Sequence, residues 1–413
     1  MNILYIDHYA GSLDLGMEFR PYYMAREWLK LGHKVRIIAA DHSHLRSSTP
    51  KVEKELDSYM EDGIEYRFVK TVDYGSNGVM RMFNILQFSA KLFLYAKKII
   101  SDFKPDLVIT SSTYPLDTYG AQRMAKLSGA KYIHEGHDLW PLTLTELMGM
   151  SKLNPFIILL ALAEKSAYKK ADWVVSVLAY SYKYMLKHGL KSIDKFKCIP
   201  NGIVLEDWED IAPMPAEHAS LFRSLKEQKK KIVCYLGGHM VSNKLDVFID
   251  AALKMKNDKV AFVLVGKGAE KERLMAKAVG AENIFFLPPV SKRAVPTVLQ
   301  EADFLYVGAE KCSLYKYGVS MNKVYDYMMA GKPIIYGVEA ANNDVADAGC
   351  GKTVESGDPD SIILAIEEFL SASPEELLEM GQRGKQAVLE KYNYSVLAKD
   401  FLDLLDETLL GRN

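Results

Sequence analysis

The sequence predicts an α/β protein with two Rossmann-like domains that face each other across a cleft. Short runs rich in β-branched and aromatic residues alternate with segments of helical periodicity along nearly the whole chain. This alternation is typical of parallel sheets covered by helices on both faces. It restarts near the middle of the chain, after a turn-forming string and an acidic stretch that contains prolines. Such folds bind ligands outside the carboxyl ends of their strands, so we expect functional residues on strand-to-helix loops.

The predicted elements follow in two series. First-half strands are expected at Asn2–Asp7, Lys34–Ala40, Ile64–Val69, Asp106–Ser111, Lys131–His134, Asp172–Ser176 and Phe196–Ile199. Second-half strands are expected at Lys231–Leu236, Val260–Val265, Ile284–Leu287, Asp303–Val307 and Pro333–Tyr336. The first helix should begin near Pro21, because proline suits a first helical turn. Residues 374–410 should form two helices that break near residues 392–395.

The turn Ile199–Ile203 and the irregular stretch Glu206–Pro215 mark the predicted hinge. We therefore expect an N-terminal domain over residues 1–202 and a C-terminal domain over residues 203–391. A C-terminal helix over residues 392–413 is expected to return to the N-terminal domain.

Composition narrows the class of protein. The chain has 413 residues, of which 49% are hydrophobic and 25% charged, as is ordinary for globular domains. The net charge is −1, divided into +6 on residues 1–202 and −7 on the remainder, so no nucleic-acid partner is expected. The longest apolar run, Phe156–Ala163, is too short to span a bilayer. The first residues lack a signal-peptide pattern, which predicts a cytoplasmic protein.

Two loops of the first half carry candidate functional residues. The loop His8–Arg20 has a glycine at position 16 just before a helix. Gly16 is a candidate phosphate contact, because glycine lets backbone amides approach an anion, and Arg20 is a candidate fixed charge. A glycine turn without a ligand and a surface arginine are the alternatives. In the loop Tyr132–Pro141, His137 is the leading functional histidine, since it can donate to a substrate hydroxyl or phosphate; a structural histidine is the alternative.

The second half has a comparable glycine loop. Gly237 and Gly238 follow a strand and allow close approach of the backbone to an anion. His239 and Lys244 can both reach a diphosphate from this loop. The pattern is that of half a pyrophosphate clamp that needs no metal.

The most informative string is Lys316–Pro333. Ser320 is expected to cap a helix that runs to Ala330, and Gly331 is expected to end it.

The start of this helix offers contacts for a nucleotide diphosphate. Asn322 and Asp326 lie four residues apart on one helical face. The Asp326 carboxylate can accept both hydroxyls of a ribose. The backbone amides that can take phosphate oxygens are those of Val319, Ser320 and Met321.

These strings carry a resemblance to a known family. Over essentially the full chain, the sequence resembles family 4 glycosyltransferases in the linker Ile199–Ile203, the turn Leu264–Gly268 and the donor-site helix Asp326–Pro333. It resembles the subgroup that builds bacterial O-antigen, capsule and exopolysaccharide repeats in the strings His8–Ser12, Arg20–Tyr23, His137–Pro141 and Tyr317–Lys323.

The resemblance implies the B-type glycosyltransferase fold, a nucleotide-sugar donor used without a metal, and transfer with retention of anomeric configuration. A UDP-sugar donor and a glycan or polyprenyl-diphosphate-linked acceptor are the expected substrates. The implied catalytic residues are His137, His239 and Lys244. The implied donor contacts are Gly16, Gly238, Val319, Ser320, Met321, Asn322 and Asp326. The implied acceptor-side residues are His8, Arg20 and Asp138.

The sequence also departs from the family pattern. The family signature has two glutamates eight positions apart, and here Gly318 and Asp326 occupy those positions. The family's arginine and lysine pair corresponds to His239 and Lys244, so one fixed charge becomes titratable. Donor identity therefore does not follow from the resemblance.

Residues 74–101 suggest a membrane contact. They contain no acidic residue and predict a helix with a narrow polar stripe and a wide apolar arc. The stripe consists of Arg81, Asn84, Gln87, Lys91 and Lys98. Such a helix either covers its own core or lies on lipid, and Leu153–Asp172, apolar then basic, is assigned to the same face. A lipid-linked acceptor favours peripheral contact with the cytoplasmic face of the inner membrane.

Three alternative functions remain. An inverting or epimerising enzyme on this fold would need a carboxylate base, for which Glu18 or Asp138 could serve. A non-catalytic nucleotide-sugar-binding protein would bind without transfer. An NAD-dependent oxidoreductase is disfavoured, because no GxGxxG follows the first strand of either half. Neither a cofactor nor a metal is expected, since the one DxD string, Asp358–Asp360, fits a helix cap better than a metal site.

Overall fold

The computed structural model describes residues 1–75 and 78–410, without the side chains of residues 406–410. The chain divides into two compact units. The N-terminal unit comprises residues 1–200 and the segment from Tyr394 onward, and the C-terminal unit comprises Asn201–Asn393. Residues 76 and 77 of the predicted membrane-contact segment, and residues 411–413 of the predicted C-terminal helix, lie outside the described residues.

The N-terminal unit is built on an eight-stranded sheet. Its strands are β1 (Asn2–Ile6), β2 (Lys34–Ala40), β3 (Asp57–Glu61), β4 (Ile64–Val69), β5 (Leu107–Thr110), β6 (Lys131–Gly136), β7 (Trp173–Ser176) and β8 (Phe196–Cys198). Their order is β3-β4-β2-β1-β5-β6-β7-β8, with all pairs parallel except β3 with β4. Since β1, β5 and β6 are neighbours, the loops at their carboxyl ends converge.

Helices cover this sheet. They are α1 (Arg20–Lys30), α2 (Val79–Leu94), α3 (Ala96–Ser101), α4 (Thr118–Ser128), α5 (Leu142–Glu146), α6 (Pro155–Lys170) and α7 (Tyr182–Met185). Pro21 lies in the first turn of α1, where its fixed φ suits the helix. Asn154 caps α6, because its side chain accepts a hydrogen bond from the Phe156 N–H. Among the described residues, no helix is long and apolar enough to cross a membrane.

The C-terminal unit has a six-stranded, fully parallel sheet. Its strands are β9 (Lys231–Leu236), β10 (Val260–Val265), β11 (Ile284–Leu287), β12 (Phe304–Gly308), β13 (Ile334–Gly337) and β14 (Gly351–Thr353), in the order β11-β10-β9-β12-β13-β14. Alternate residues of β9 and β10 enter two separate core clusters, one on each face. The sheet is therefore covered on both sides.

The helices of this unit follow the same pattern. They are α8 (Ala216–Glu227), α9 (Leu245–Lys254), α10 (Lys271–Lys277), α11 (Val295–Glu301), α12 (Asn322–Met329), α13 (Asp344–Asp347), α14 (Pro359–Ser371) and α15 (Pro374–Lys391). Asp358 caps α14 by accepting from the N–H groups of Asp360 and Ser361. The last helix, α16 (Tyr394–Leu410), packs in the N-terminal unit, where Trp28 Nε1 donates to Ala398 O at 2.9 Å. The predicted α/β fold class is thus confirmed, including the return of the C-terminal helix.

Candidate active site

Buried polar side chains meet at the carboxyl ends of β1, β5 and β6. Glu135, near the end of β6, is fully buried and accepts hydrogen bonds on Oε2 from Tyr5 OH and Ser111 Oγ, each at 2.6 Å. His137 follows immediately, with Nε2 2.5 Å from Ser111 Oγ and 3.5 Å from Glu135 Oε2. The parallel register of three neighbouring strands brings these groups together from distant parts of the chain.

His137 is the member of this network that keeps contact with solvent, with a side chain 19% exposed. Burial alone would lower the pKa of His137, but the hydrogen bond and the charge of Glu135 outweigh it, so the pKa is raised. His137 Nδ1 makes no hydrogen bond within the described part of the chain. That nitrogen is therefore available to a ligand.

Arg20 occupies the opposite side of Glu135. Its guanidinium is 1% exposed, pairs with Glu135 Oε1 at 2.8 Å, and donates to the carbonyl oxygens of Ile199 and Pro200 at 2.9 and 2.7 Å. The prediction of a fixed charge for phosphate is wrong at this position, because the side chain is enclosed by its own unit. Burial raises the pKa of the Glu135 carboxyl, but Arg20 outweighs it and holds that pKa well below its usual range.

Gly16 and His8 also differ from prediction. The Gly16 N–H donates to Ser12 O at 2.8 Å, so it is not available to phosphate. Glycine is needed there, at φ +94°, because a Cβ would lie 2.7 Å from Ser47 N. His8 is fully buried and bonded through Nδ1 to Tyr114 OH, and burial lowers its pKa. In this conformation the buried, neutral ring of His8 cannot contact an acceptor substrate.

Asp138 lies at the entrance to α5. Its Oδ1 accepts hydrogen bonds from the Leu139 N–H at 2.8 Å and the Thr143 hydroxyl at 2.7 Å. The carboxylate is half-buried, so an acceptor-side role for Asp138 stays a prediction.

Two buried carboxyls lie in the same region without a paired cation among the described residues. Burial raises the pKa of Asp7 to about 7 and that of Asp117 to about 8. Asp7 accepts from the Tyr9 N–H at 2.8 Å. Asp117 is therefore largely protonated near neutral pH, and Asp7 titrates there.

The C-terminal unit presents the second glycine loop at the end of β9. The loop packs closely on the loop after β10: a Cβ on Gly266 would lie 1.9 Å from Gly237 O. The exposed Gly238 N–H has no partner within the described residues, so it is available to an anion. His239 is fully buried with both ring nitrogens unpartnered in the described structure.

His239 is neutral at neutral pH. Burial, together with the charges of Lys271 and Lys323, lowers its pKa to about 4. The titratable charge expected at this position therefore does not form near neutral pH, because the ring is buried and the nearest ionised groups are also cations. Lys244 occupies the N-cap position of α9 in a left-handed conformation at φ +49°. Its side chain is one-third exposed, and its Nζ lies 3.9 Å from Glu310 Oε1.

The start of α12 differs in detail from the predicted cap. Ser320 does not cap the helix, because its Oγ accepts from the Asn201 N–H at 2.8 Å. The Val319 N–H donates to Asn342 Oδ1 at 2.8 Å, so this predicted phosphate contact is already occupied. The amides of Ser320 and Met321 have no partner within residues 1–75 and 78–410. They are available as donors at this helix start.

Asn322 and Asp326 lie one turn apart on α12. Asn322 is exposed, whereas Asp326 is half-buried. Burial raises the pKa of Asp326 to about 6, partly opposed by the charge of Lys292. The carboxylate therefore predominates at neutral pH, as acceptance of two ribose hydroxyls requires.

Sequence analysis missed three side chains of these networks: Ser111, Glu135 and Lys323. Lys323 lies in the first turn of α12 and donates to Tyr235 OH at 2.9 Å and Asn243 Oδ1 at 2.5 Å. One signal was available, since a lysine in a first helical turn opposes the helix dipole. The sequence shows Glu135 close to His137, but it does not show that Glu135 is buried.

No group of three or more His, Cys, Asp or Glu side chains in the described structure is arranged to hold a metal ion. The groups that can face an anion in the C-terminal unit are instead backbone amides and lysines.

The architecture is that of B-type glycosyltransferases. It matches the crystal structure of HepE from Anabaena in complex with UDP-glucose with a TM-score of 0.66 and 13% identity, over 98% of this chain and 99% of that one. A family model described as "Glycosyltransferase Family 4" matches residues 16–207, and one described as "Glycosyl transferases group 1" matches residues 230–372. The chain is therefore a glycosyltransferase, and its N-terminal part matches family 4.

Two curated relatives agree with this family. WcaI of Escherichia coli (strain K12), named as a colanic acid biosynthesis glycosyl transferase, is 26% identical over 67% of this chain and 69% of its own length. WbjE of Pseudomonas aeruginosa, named as a glycosyltransferase, is 22% identical over 79% of both chains.

Proposed function

We propose that this enzyme transfers a sugar from a UDP-sugar, with retention of configuration, to a glycan or polyprenyl-diphosphate-linked acceptor in cell-surface polysaccharide synthesis. The relationship to WcaI, named for colanic acid biosynthesis, supports the pathway class. The likeness to HepE, solved with UDP-glucose, supports the donor class.

The observation that carries this proposal is a set of groups in the C-terminal unit that can donate hydrogen bonds to an anion. The amides of Gly238, Ser320 and Met321 have no partner among the described residues, and Lys244 Nζ has access to solvent. Preorganised donors of this kind stabilise negative charge as it develops on a leaving diphosphate. Asp326, one turn along α12, would accept the ribose hydroxyls.

The N-terminal unit would hold the acceptor at His137. Glu135 fixes the Nε2 side of the ring through Ser111, which leaves Nδ1 to position a sugar. As the family relationship implies, the leaving phosphate would take the acceptor proton on the same face of the sugar. No protein carboxylate is then needed as a base. The diphosphate charge would be met by amides and lysines without a metal.

A panel of nucleotide sugars tests the proposal. A ligand that binds only the folded state raises its melting temperature, so thermal shifts with UDP-, GDP-, CDP- and ADP-sugars identify the donor. The product linkage formed from that donor is then assigned by NMR. We expect a shift with a UDP-sugar and an anomeric configuration equal to that of the donor. Binding without transfer would indicate a non-catalytic protein, and an epimerised free nucleotide sugar would indicate the epimerase alternative.

Helix α2 supports peripheral membrane contact. Its polar stripe faces the unit itself: Asn84 donates to Val72 O at 2.7 Å, and Lys91 pairs with Glu55 at 2.7 Å. The solvent-facing side is therefore left to apolar residues. Its exposed members are Val79, Met80, Phe83, Phe93 and Leu94.

Helix α6 has a similar outer face. Leu153, which precedes it, is 83% exposed, and Ile158 and Leu162 are also exposed. Basic residues follow at Lys165 and Lys169. Both α2 and α6 pack against α4, so they cover the same face of the sheet. Apolar groups flanked by lysines suit the boundary of an anionic lipid surface.

Vesicle sedimentation tests this contact. With vesicles of phosphatidylglycerol and phosphatidylethanolamine, the double variant Phe83→Ser, Leu162→Ser should bind about tenfold more weakly than the wild type, because two apolar groups no longer leave water. Leu378→Ser, which changes a comparably exposed leucine of α15, is the control. Equal binding by all three proteins would exclude α2 and α6 as the contact.

A further inference from the structure

We propose that Lys323 is the cation that holds the diphosphate of the donor. This inference rests on the proposed nucleotide-sugar donor and gives a role to a residue that the sequence analysis left without one. Lys323 is the second residue of α12, next to the available amides of Ser320 and Met321.

The ammonium of Lys323 lies where two phosphate-binding elements meet. Its two acceptors, Tyr235 OH and Asn243 Oδ1, belong to β9 and the loop that follows it. Both side chains also donate to Gly238 O, at 2.8 and 2.9 Å. A Cβ added to Gly237 would lie 3.5 Å from Lys323 Nζ. An anion bound by the amides of both elements would therefore lie beside this ammonium.

Lys323 has no counter-ion in the part of the chain that the structure describes. No carboxylate of the described residues lies within ion-pairing distance of it, and both of its acceptors are neutral groups. Burial lowers the pKa of Lys323 to about 8, which reflects the cost of removing an ammonium from water. Its position in the first helical turn also opposes the helix dipole. A bound diphosphate would offset both costs.

The neighbouring histidine points to the same ligand. His239 is fully buried beside Lys323, and neither ring nitrogen has a partner within the described structure. Because the ring is neutral, it cannot replace a fixed charge. Lys244, the other lysine predicted for this role, has Glu310 at 3.9 Å, so its charge is partly shared. Unlike Lys244, Lys323 contacts only neutral acceptors, so its charge is left for a ligand.

Calorimetric titration with UDP tests the assignment, together with GDP, CDP and ADP to cover the other bases. Lys323→Met should weaken binding of the preferred nucleoside diphosphate about 30-fold, as expected for loss of a charge-assisted hydrogen bond. Lys323→Arg, which keeps the charge, should recover most of the affinity. Lys332→Met is the matched control, since Lys332 is also half-buried with a lowered pKa but follows the other end of α12.

The outcomes separate the two proposals. If the wild type binds none of the four nucleotides, the proposed function fails and the role of Lys323 fails with it. If the wild type binds and Lys323→Met binds equally well, only the role of Lys323 is refuted. A loss shared by Lys323→Met and Lys332→Met would also refute it, because the effect would then not be specific to this site. Should Lys323→Met not fold, Lys323→Gln keeps a polar contact to the loop without the charge and replaces it in the same comparison.

Discussion

Glu164 allows a quantitative test of the buried electrostatics of the N-terminal unit. It lies on α6 and is 1% exposed. Its two oxygens accept hydrogen bonds from Tyr168 OH at 3.2 Å and Tyr184 OH at 3.1 Å. Burial raises the pKa of Glu164 from its ordinary value of 4.5 to about 8, against the opposing effect of the two hydroxyls. The folded unit therefore holds a neutral carboxyl where the unfolded chain holds a carboxylate.

The sign and size of the effect follow from proton linkage. Because the folded pKa is raised, the stabilisation from protonated Glu164 is complete below about pH 4.5 and is lost progressively up to about pH 8. Between those limits the free energy of unfolding falls by about 1.4 kcal/mol per pH unit. From about pH 5.5 to about pH 7.5 the loss is about 3 kcal/mol. Glu164→Gln imitates the neutral carboxyl and should abolish this contribution.

Urea unfolding of the N-terminal unit measures the difference. Replacing Trp208 by Phe leaves Trp28, Trp140 and Trp173, all in this unit, as the fluorescent reporters. We expect the advantage of Glu164→Gln over the wild type to grow by about 3 kcal/mol across this pH range. If the free energies of unfolding of the wild type and Glu164→Gln changed with pH in parallel, a protonated Glu164 would be refuted. The exposed carboxylate of Glu146 supplies the control Glu146→Gln, which should follow the wild type.

Three further predictions concern turnover, ligand binding and metal dependence. His137→Ala and Lys244→Ala should each fold normally and lower turnover by roughly a hundredfold, or about 2.7 kcal/mol, and a wild-type rate would remove that residue from the mechanism. Because the pKa of Asp326 is raised to about 6, uridine affinity should increase as the pH rises from about 5 to about 7. Asp326→Asn should lose this dependence in the same titration. Transfer should persist after treatment with EDTA and dialysis, and restoration only by added Mg²⁺ or Mn²⁺ would contradict a metal-free diphosphate site.

The fold could be predicted because its elements follow regular local patterns. Apolar runs of parallel strands and amphipathic helices recur along both halves, and the predicted strands lie within a residue or two of the observed ones. The strand β3 was missed because it is a half-exposed edge strand with little apolar signal. The turn residues Asp62 and Gly63, both at positive φ, were a usable signal for the hairpin that joins β3 to β4. The strand β14 has only three residues, too few for a period to emerge.

The site could be predicted only in outline. Motif spacing singled out the loop after β9 and the start of α12, where amides without partners are found, yet the availability of each group depends on tertiary neighbours. Arg20 is enclosed because Glu135, 115 residues away, lies beside it. The Val319 amide is occupied because Asn342 reaches it from a later loop. No local pattern encodes such partners, so sequence alone cannot separate an available donor from an occupied one.

His137 and His239 make the same point about charge. Each follows a glycine just after a buried parallel strand, and burial alone would lower the pKa of both. Glu135 reverses the shift at His137, whereas Lys271 and Lys323 deepen it at His239. The pKa of His137 is therefore raised above its ordinary value, while that of His239 falls to about 4 and leaves its ring neutral at neutral pH. A donor bound by the C-terminal unit would then meet its positive charge on lysines, in line with the role proposed for Lys323.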